Sequence, residues 1–564
     1  MQRFVLPNKH KLWYNTKIKN AGGNAVDTLS VKKIGRPDKI TVIILAAVFF
    51  ACAIFSITDG CYWGDDYAAY ISEGIAIAEG RIDAQAALNA KMHPSPLPDE
   101  AVGRPLVYVW GYPLVLALVY RLVGFDRITY ASIFFYKLPT VISFALVSAV
   151  LFLFLRRRFG YFLSLLLTVA FCSCVEFYNF INTLYNDIFF MLFALLALYL
   201  VELYTENSGT GRHAKIGVIL GIVLWYMYEI RLNGLAILLA CLAAHLIYLI
   251  KSGNLTKAEV LLREAVPYIV FFAFKSLSEL LIASPTPNTS DFHDSSPALF
   301  FSNLGVYLNL ILDFFRQIWS RLLISPLYSV LKRFFEISYS DLAVAGDILA
   351  WGSFALLILG LIYGGIKKNL HLSLLAAFYI TAASVLPYTQ GMRYIYPILP
   401  VILMFFGFGA KCVFGSFGGK TLRRALPAAA SLLCLLCLYQ VASNDIALQT
   451  SGRDETEIIN VEDIYMQNAY SPCAVDVYNY IRANTPAQCT IAFFVPRGLY
   501  LNTERFSIKP DVNGHSIDEA DYYLDYLKTG EYNITPPLDG KFESMFSNDE
   551  FVFYKRIKDL NEEQ

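Results

Sequence analysis

Apolar residues gather into runs of roughly the 20 that carry a helix across a bilayer, with short polar breaks between them. The runs fall at 40–58, 131–155, 161–178, 184–204, 215–232, 234–250, 264–283, 345–366, 369–387, 393–410 and 425–442. Each predicts a membrane-spanning helix. The stretch Pro105–Val123, PLVYVWGYPLVLALVYRLV, is nearly long enough to join them. The basic loops argue against it. Arg156–Arg158, Arg212/Lys215, Lys251/Lys257, Lys367/Lys368 and Lys411–Arg424 share one side only if 105–123 does not cross. The pattern therefore predicts eleven spans, with 105–123 as an interfacial or re-entrant helix, which its internal Pro113 and Arg121 suit.

This topology leaves two large outer loops, about 59–130 and 284–344, and an outer C-terminal region. The second loop opens with SPTPNTSDFHDSSP, which breaks any helix. It continues as ALFFSNLGVYLNLILDFFRQIWSRLL, whose mixed aromatics and charges predict a helix lying on the membrane surface. In the tail, a helical pattern at Val475–Ala483 alternates with strand-like CTIAFFV (489–495) and EFVFYKRI (550–557). The expected fold is an α-helical polytopic membrane protein with a small C-terminal α/β domain. Its parts are a basic tail (1–39), a membrane domain (40–442) and the outer domain (443–564).

Composition agrees. Of 564 residues, 56% are hydrophobic and 16% charged, against about 25% charged in soluble proteins. The zero net charge conceals an asymmetry: residues 1–39 hold nine Lys/Arg against two Asp, and 443–564 hold ten against twenty-one Asp/Glu. This predicts a cytoplasmic N-terminus and an exported tail. The first apolar run lies too far from Met1 for a cleaved signal peptide and reads as a retained anchor. Cys52, Cys172, Cys174, Cys241, Cys412, Cys434 and Cys437 lie in or beside apolar runs without metal-like spacing. Cys473 and Cys489 could pair if the tail's compartment is oxidising. The chain shows no internal repeat and no glycine-rich phosphate loop, and no nucleic-acid partner is expected.

The polar residues then draw attention. Asp65 and Asp66 follow the first span in DGCYWGDDYAAYISEGIAIAEGR (59–81), Glu176 ends the third and Asp187 opens the fourth in NTLYNDIFFML. Glu229 and Arg231 end the fifth, Lys275 and Glu279 lie in the outer half of the seventh, and Arg393 and Tyr394 open the tenth in YTQGMRYIYPILP. All fall toward the outer leaflet. Any one of them can be an interface marker, and Lys275 with Glu279 has the i,i+4 spacing of a structural ion pair. Ionisable groups bordering spans are nonetheless costly, roughly 2.5–3.5 kcal/mol at a span's centre, and usually face a cavity or a partner. Acids together with fixed Arg and Lys suit a substrate with an anionic leaving group such as a phosphate.

WGDDYAAYISEGIAIAEGR resembles the first outer loop of the C-type (GT-C) membrane glycosyltransferases, an acidic pair followed by an amphipathic helix. HPSPLPDEAVGRPLVYVWGYPLVLALVYRLVGFD (93–126), with Arg104, resembles that family's Pro-rich segment and second surface helix. GMRYIYPILP (391–400) and NDIFFMLFALLALYL resemble two of its later segments. The protein O-mannosyltransferase and lipid A aminoarabinose transferase branch is the most similar. Where that branch has Pro-Pro-Leu this chain has GRPLVYVWGYP, so neither sugar nor acceptor carries over. The resemblance implies inverting sugar transfer from a polyprenyl-phosphate-linked donor to a glycan, lipid or protein acceptor at the outer face. By the same resemblance Asp65 is the base, and Asp66 positions it or contacts sugar. Asp187, with Glu176 as outsider, matches a second acidic site that in some members helps bind a divalent cation; without an Asp-x-Asp pair, a metal-independent reaction is favoured. Arg393, with Arg231 or Lys275, would stabilise the departing phosphate, while Trp63, Tyr62 and Tyr67 could stack on sugar. The competing classes are a transporter or lipid flippase, which would place polar sites near the midplane of pseudo-symmetric halves, and a scaffold displaying the tail.

Overall fold

The computed structural model describes residues 35–557 apart from 59, 62, 93–107, 125–129, 209, 252–257, 282–295, 337, 367–368, 386–390, 415–419, 447–467, 511–516, 518 and 529–540. Arg104, Tyr62 and most of the basic tail lie outside the described residues. Helix α1 (Arg36–Phe55) has Pro37 in its first turn, where a missing N–H costs nothing, and Asp38 accepts from the Gly35 amide at 2.8 Å. Then come α2 (Asp65–Glu79), α3 (Ile82–Lys91), α4 (Gly111–Val123) and α5 (Tyr130–Arg156). Next are α6 (Tyr161–Cys172), α7 (Val175–Asn182), α8 (Asp187–Glu206), α9 (His213–Ile230), α10 (Gly234–Lys251), α11 (Ala258–Glu264) and α12 (Val266–Leu281). The helical part ends with α13 (Pro297–Trp319), α14 (Ser325–Leu331), α15 (Tyr339–Gly360), α16 (Leu370–Val385), α17 (Leu399–Phe414) and α18 (Lys420–Gln440).

Among the described residues, seven helices are long and apolar enough to cross a membrane: Arg36–Phe55, Ser132–Arg156, Asp187–Glu206, His213–Ile230, Pro297–Leu331, Tyr339–Ile366 and Tyr396–Val413. The pair α6 and α7, bent by 48°, makes an eighth if it is one span. The bend has a local cause. Ser173 turns its hydroxyl onto the Val169 carbonyl at 2.7 Å, and Cys174 adopts extended backbone. The expected spans at 234–250, 264–283, 369–387 and 425–442 correspond to shorter helices here. The chain is thus a multi-pass helical membrane protein with seven or eight long apolar helices among its described residues.

Two segments bear on the expected topology. Helix α4 has 13 residues and reaches about 20 Å at 1.5 Å per residue, short of the roughly 30 Å hydrocarbon core. By contrast, the segment expected to lie on the membrane surface belongs to a 35-residue apolar rod, Pro297–Leu331, long enough to span. The charges that suggested a surface position are paired, Arg316 with Asp313 one turn away and with Asp347 of α15 at 2.6 Å.

The bundle has two chemically distinct ends. At one, Arg156 donates to Asp38 at 2.7 Å, Arg157 to Glu202 at 3.0 Å and to Glu206, and Arg158 to Glu202. The RRR loop is therefore ion-paired. The sidedness rule counts cations rather than net charge, so this pairing leaves the argument from basic loops intact. Asp66, Asp187, Arg231 and Arg393 gather at the other end.

The C-terminal region carries a five-stranded sheet in the order β2-β1-β3-β5-β4. Its strands are β1 (Thr490–Ala492), β2 (Phe506–Ile508), β3 (Tyr522–Tyr526), β4 (Phe542–Ser547) and β5 (Phe551–Arg556). The first three pair in parallel and the rest antiparallel. Helix α19 (Pro472–Asn484), capped by the Ser471 hydroxyl, and α20 (Pro496–Thr503) complete it. Cys473 and Cys489 are free thiols, not a disulfide.

Helices α15 and α17 cross at glycines. A Cβ on Gly409 would lie 1.8 Å from the Leu356 carbonyl oxygen, and one on Gly360 1.7 Å from that of Phe405. Such small-residue crossings let backbones approach without a side chain between them. Gly409→Ala should force the helices apart and cost about 1–3 kcal/mol. Gly352→Ala, with nothing within 4 Å of its Cβ, should be neutral. Thermal unfolding of the two variants in detergent tests the difference.

Candidate active site

The site is assembled from helix ends. Asp187 is the first residue of α8, Asp66 lies in the first turn of α2, and Arg231 caps the C-terminus of α9. Acids at helix N-termini and a cation at a C-terminus each match the sign of the local backbone dipole. Arg393 comes from a short 3₁₀ turn, Gly391–Tyr394, just before the last long span.

Arg393 links the acids. Its Nη1 and Nη2 reach Asp66 Oδ2 at 3.2 and 3.3 Å, and its Nε lies 3.3 Å from Asp187 Oδ2. Arg231 pairs with the other Asp187 oxygen, Oδ1. Asp187 is only 1% exposed while Asp66 is 27% exposed, so the first forms the floor and the second the mouth. Aromatic faces hold the guanidiniums in place: Tyr185 lies 4.2 Å from that of Arg393, and Tyr394 5.4 Å from that of Arg231. The Tyr108 hydroxyl donates to Asp66 Oδ1 at 2.5 Å, and the Tyr108 ring packs 4.4 Å from Tyr70. Burial, and then the Asp66 charge, push the Tyr108 phenol well above its ordinary range, so it remains a proton donor.

Helices α2 and α4 frame the mouth. They run parallel and touch closely, since a Cβ on Gly74 would lie 2.9 Å from the Pro113 carbonyl oxygen. At their far end Tyr120 donates to Glu79 at 2.8 Å and Arg121 to the Ala78 carbonyl. The Tyr120 hydrogen bond, helped by Arg81, holds the Glu79 carboxyl below its usual range. Gly111 seats α4 on α9; a Cβ there would lie 2.4 Å from the Glu229 carbonyl oxygen.

Of the residues singled out from sequence, Asp66, Asp187, Arg231, Arg393 and Tyr394 come together. The Asp65 backbone heads α2, but its side chain, like Arg104, lies outside the described residues. Glu176 stands apart in α7, with a long 3.5 Å hydrogen bond from Gln317. Lys275 pairs with Glu279 at 2.6 Å and lies over the Tyr228 ring, the structural ion pair its spacing allowed. Trp63 is 1% exposed and closed in by Phe493, Phe494, Tyr526 and Phe551 of the C-terminal region, so it presents no face for sugar. Tyr67 is likewise fully buried, packed beside Tyr470.

Sequence reasoning passed over Tyr108, Tyr185 and Lys137. The first two lie inside segments already singled out, and Lys137 is a charge within an apolar run, itself a signal. Lys137 is fully buried and donates to the Thr58 carbonyl at 2.8 Å and to Asn182 Oδ1 at 3.0 Å, anchoring the chain leading into the acidic pair. No group of three or more His, Cys, Asp or Glu among the described residues is arranged to hold a metal. Both Asp187 oxygens face guanidiniums, a setting unsuited to a divalent cation.

No protein-family description and no curated protein matches the chain by sequence. Solved structures do match its shape. ArnT from Cupriavidus metallidurans in the apo state superposes with a TM-score of 0.52 at 12% identity, over 92% of this chain and 98% of that one. The same protein bound to undecaprenyl phosphate gives 0.50 at 11% identity, over 93% and 99%. The archaeal oligosaccharyltransferase AglB from Archaeoglobus fulgidus, in complex with an inhibitory peptide and a dolichol-phosphate, gives 0.52 at 12% identity, over 87% and 69%. The chain shares the fold of these proteins. At such identities the likeness is one of fold.

Because Asp187 separates two arginines, its loss should cost more than the loss of either. Asp187→Asn leaves Arg231 and Arg393 facing each other in a buried site and should destabilise by about 3–5 kcal/mol. Arg231→Gln, which leaves Asp187 beside Arg393, should cost less. Unfolding midpoints of the two purified variants decide the order.

Proposed function

We propose that the chain is an integral-membrane inverting glycosyltransferase, moving a sugar from a polyprenyl-phosphate-linked donor to an acceptor hydroxyl at the extracytoplasmic face. The observation that carries this reading is the joining of Asp66, Asp187, Arg231 and Arg393 at the head of α2, at one end of the bundle. The fold shared with ArnT, solved with undecaprenyl phosphate, and with AglB, solved with dolichol-phosphate, supports a lipid-phosphate carrier.

In this reading the Asp65 carboxylate takes the acceptor hydroxyl's proton as its oxygen attacks the anomeric carbon opposite the carrier phosphate. The carbon–oxygen bond to phosphate breaks, the phosphate leaves with the electron pair, and configuration inverts. Proton removal by a placed carboxylate contributes roughly 10²–10⁴-fold. Both Asp66 oxygens are engaged, one by Tyr108 and one by Arg393, and Asp66 is the positioning partner. A guanidinium carries five N–H groups. Arg393 donates from both Nη to Asp66 and lies 3.3 Å from Asp187, and it is the cation assigned here to the leaving phosphate.

Asp65→Asn should preserve folding and donor binding but slow transfer by roughly 10²-fold or more, with Asp66→Asn costing less. Arg393→Ala should weaken donor binding and slow transfer, and Arg393→Lys should restore it only in part because lysine lacks the planar fork. A transfer assay on normally expressed protein tests both. Wild-type turnover in the double Asp65→Asn, Asp66→Asn variant would sink this reading.

The proposed orientation puts the N-terminus in the cytoplasm, uses eleven spans and leaves the C-terminal domain outside. Cys412 is exposed at the end of α17 remote from Arg393. An impermeant thiol reagent should label it only after permeabilisation. Arg81→Cys, between α2 and α3, should react from outside in intact cells. The reverse pattern would invert the topology.

A further inference from the structure

Between α1 and α2 the backbone is held by one buried side chain, Asn182. Its Oδ1 accepts from the Thr58 amide at 2.9 Å and from Lys137 Nζ at 3.0 Å. Its Nδ2 donates to the Ser56 carbonyl at 3.0 Å and to the Tyr178 carbonyl at 3.2 Å. A carboxamide offers two N–H groups and two lone pairs, and these four bonds use them all. Lys137 also donates to the Thr58 carbonyl at 2.8 Å, so both backbone groups of Thr58 are bonded. The Asn182 carbonyl accepts from the Cys61 thiol at 3.6 Å. Asn182 and Lys137 are fully buried, and a satisfied buried network of this kind fixes a single arrangement.

The same residue belongs to the other acidic arm. Asn182 closes α7, and beyond the strap 183–186 Asp187 opens α8. The strap is tightly determined. Leu184 is buried with φ at 56°, a left-handed conformation that a non-glycine residue keeps only where its surroundings enforce it. Residues held in this way gather at functional sites. Asn186 donates to the Ile230 carbonyl, next to Arg231, at 3.0 Å. A Cβ on Gly64, the N-cap of α2, would lie 2.9 Å from the Tyr185 hydroxyl. Asn182 therefore ties the chain entering α2 to the chain entering α8, the helices whose first turns carry Asp66 and Asp187. Arg393 touches both acids only while that spacing holds.

We infer that Asn182 is a positioning residue for the transfer reaction, fixing the acidic pair at the head of α2 against Asp187 and its two arginines. The inference rests on the transferase reading above, in which Asp65 needs a fixed place from which to take the acceptor's proton. Asn182 acts through the backbone of 56–58. A misplacement of about 1 Å at a reacting group costs on the order of 10²-fold in rate.

The test uses the full-length chain in cells whose own copy of the gene is deleted. Product is what mass spectrometry of envelope glycans and lipids finds when wild type is restored, and its rate of appearance is divided by the folded protein recovered. Asn182→Leu, which removes the amide at similar volume, should slow this rate by about tenfold or more. In the purified variant the peptide 56–66 should exchange its amide hydrogens faster. Lys137→Met cuts the clamp from its other side and should act in the same direction, so it serves if Asn182→Leu does not accumulate. Asn182→Asp keeps the acceptor for Thr58 and Lys137 and should recover much of the rate. Asn369→Leu is the matched control: it removes another buried asparagine, bonded to the Gly364 carbonyl at 2.7 Å at the end of α16 remote from Arg393. It should leave the rate per folded molecule unchanged. Wild-type rate and exchange in Asn182→Leu, or in Lys137→Met where that variant is used, overturn the inference and leave the transferase reading standing. A loss that only follows lost protein, or that Asn369→Leu shares, marks a structural role and also overturns it. Absence of any product with wild type overturns the transferase reading, and the inference with it.

Discussion

A buried carboxylate must be neutralised, and Asp187 sets the terms for the rest of this protein. Taking one ion out of water costs several kcal/mol even after relaxation, and only close opposite charges return it. Asp187 meets the requirement with two guanidiniums from separate elements, Arg231 at the end of α9 and Arg393 before the last long span. These contacts draw three distant parts of the chain to one point. Arg393 then extends the chain of charges outward to Asp66, 327 positions away in sequence. The partly exposed acid at the mouth is thus held by a cation that the buried acid fixes in place.

The same constraint accounts for the surface helices. Asp66 can meet Arg393 only if the first turn of α2 lies over the end of the bundle. Helix α4 keeps it there through the glycine contacts at Gly74 and Gly111 and through Tyr108. From the other side the C-terminal domain closes on Trp63 and Tyr67. The acidic pair therefore sits where membrane domain, surface helices and C-terminal domain meet, and a shift in any of them would move it.

Much of this was legible in the sequence, for a physical reason. Hydropathy is a one-dimensional signal, and it located six of the seven long helices as spans and the short segment 105–123 that holds α4. Charge at the ends of apolar runs identified Asp66, Asp187, Arg231 and Arg393. What a one-dimensional reading lacks is direction around a helix and the identity of what covers it. Glu176 and Asp187 look alike as acids bordering apolar runs, but the bend at Ser173–Cys174 turns the first toward Gln317 and leaves the second among arginines. Trp63 reads as an exposed interfacial aromatic until a domain encoded at the far end of the chain encloses it. The rod at 297–331 is long and apolar enough to span, and the charges along it, Arg316 with Asp313 and with Asp347 of α15, are both paired and exposed.

The placement of charge also bears on the choice between transferase and transporter. A carrier that alternates access needs its polar groups near the midplane, at broken helices that can face either side. Here the linked charges lie at helix termini, and the one helix bent between long segments, α6 with α7, contributes none of the four. An ion-paired cluster at one rim, roofed by surface helices and a folded domain, has no second side to open toward. Acids and cations fixed by one another at helix ends suit the transfer reaction proposed above better than a carrier.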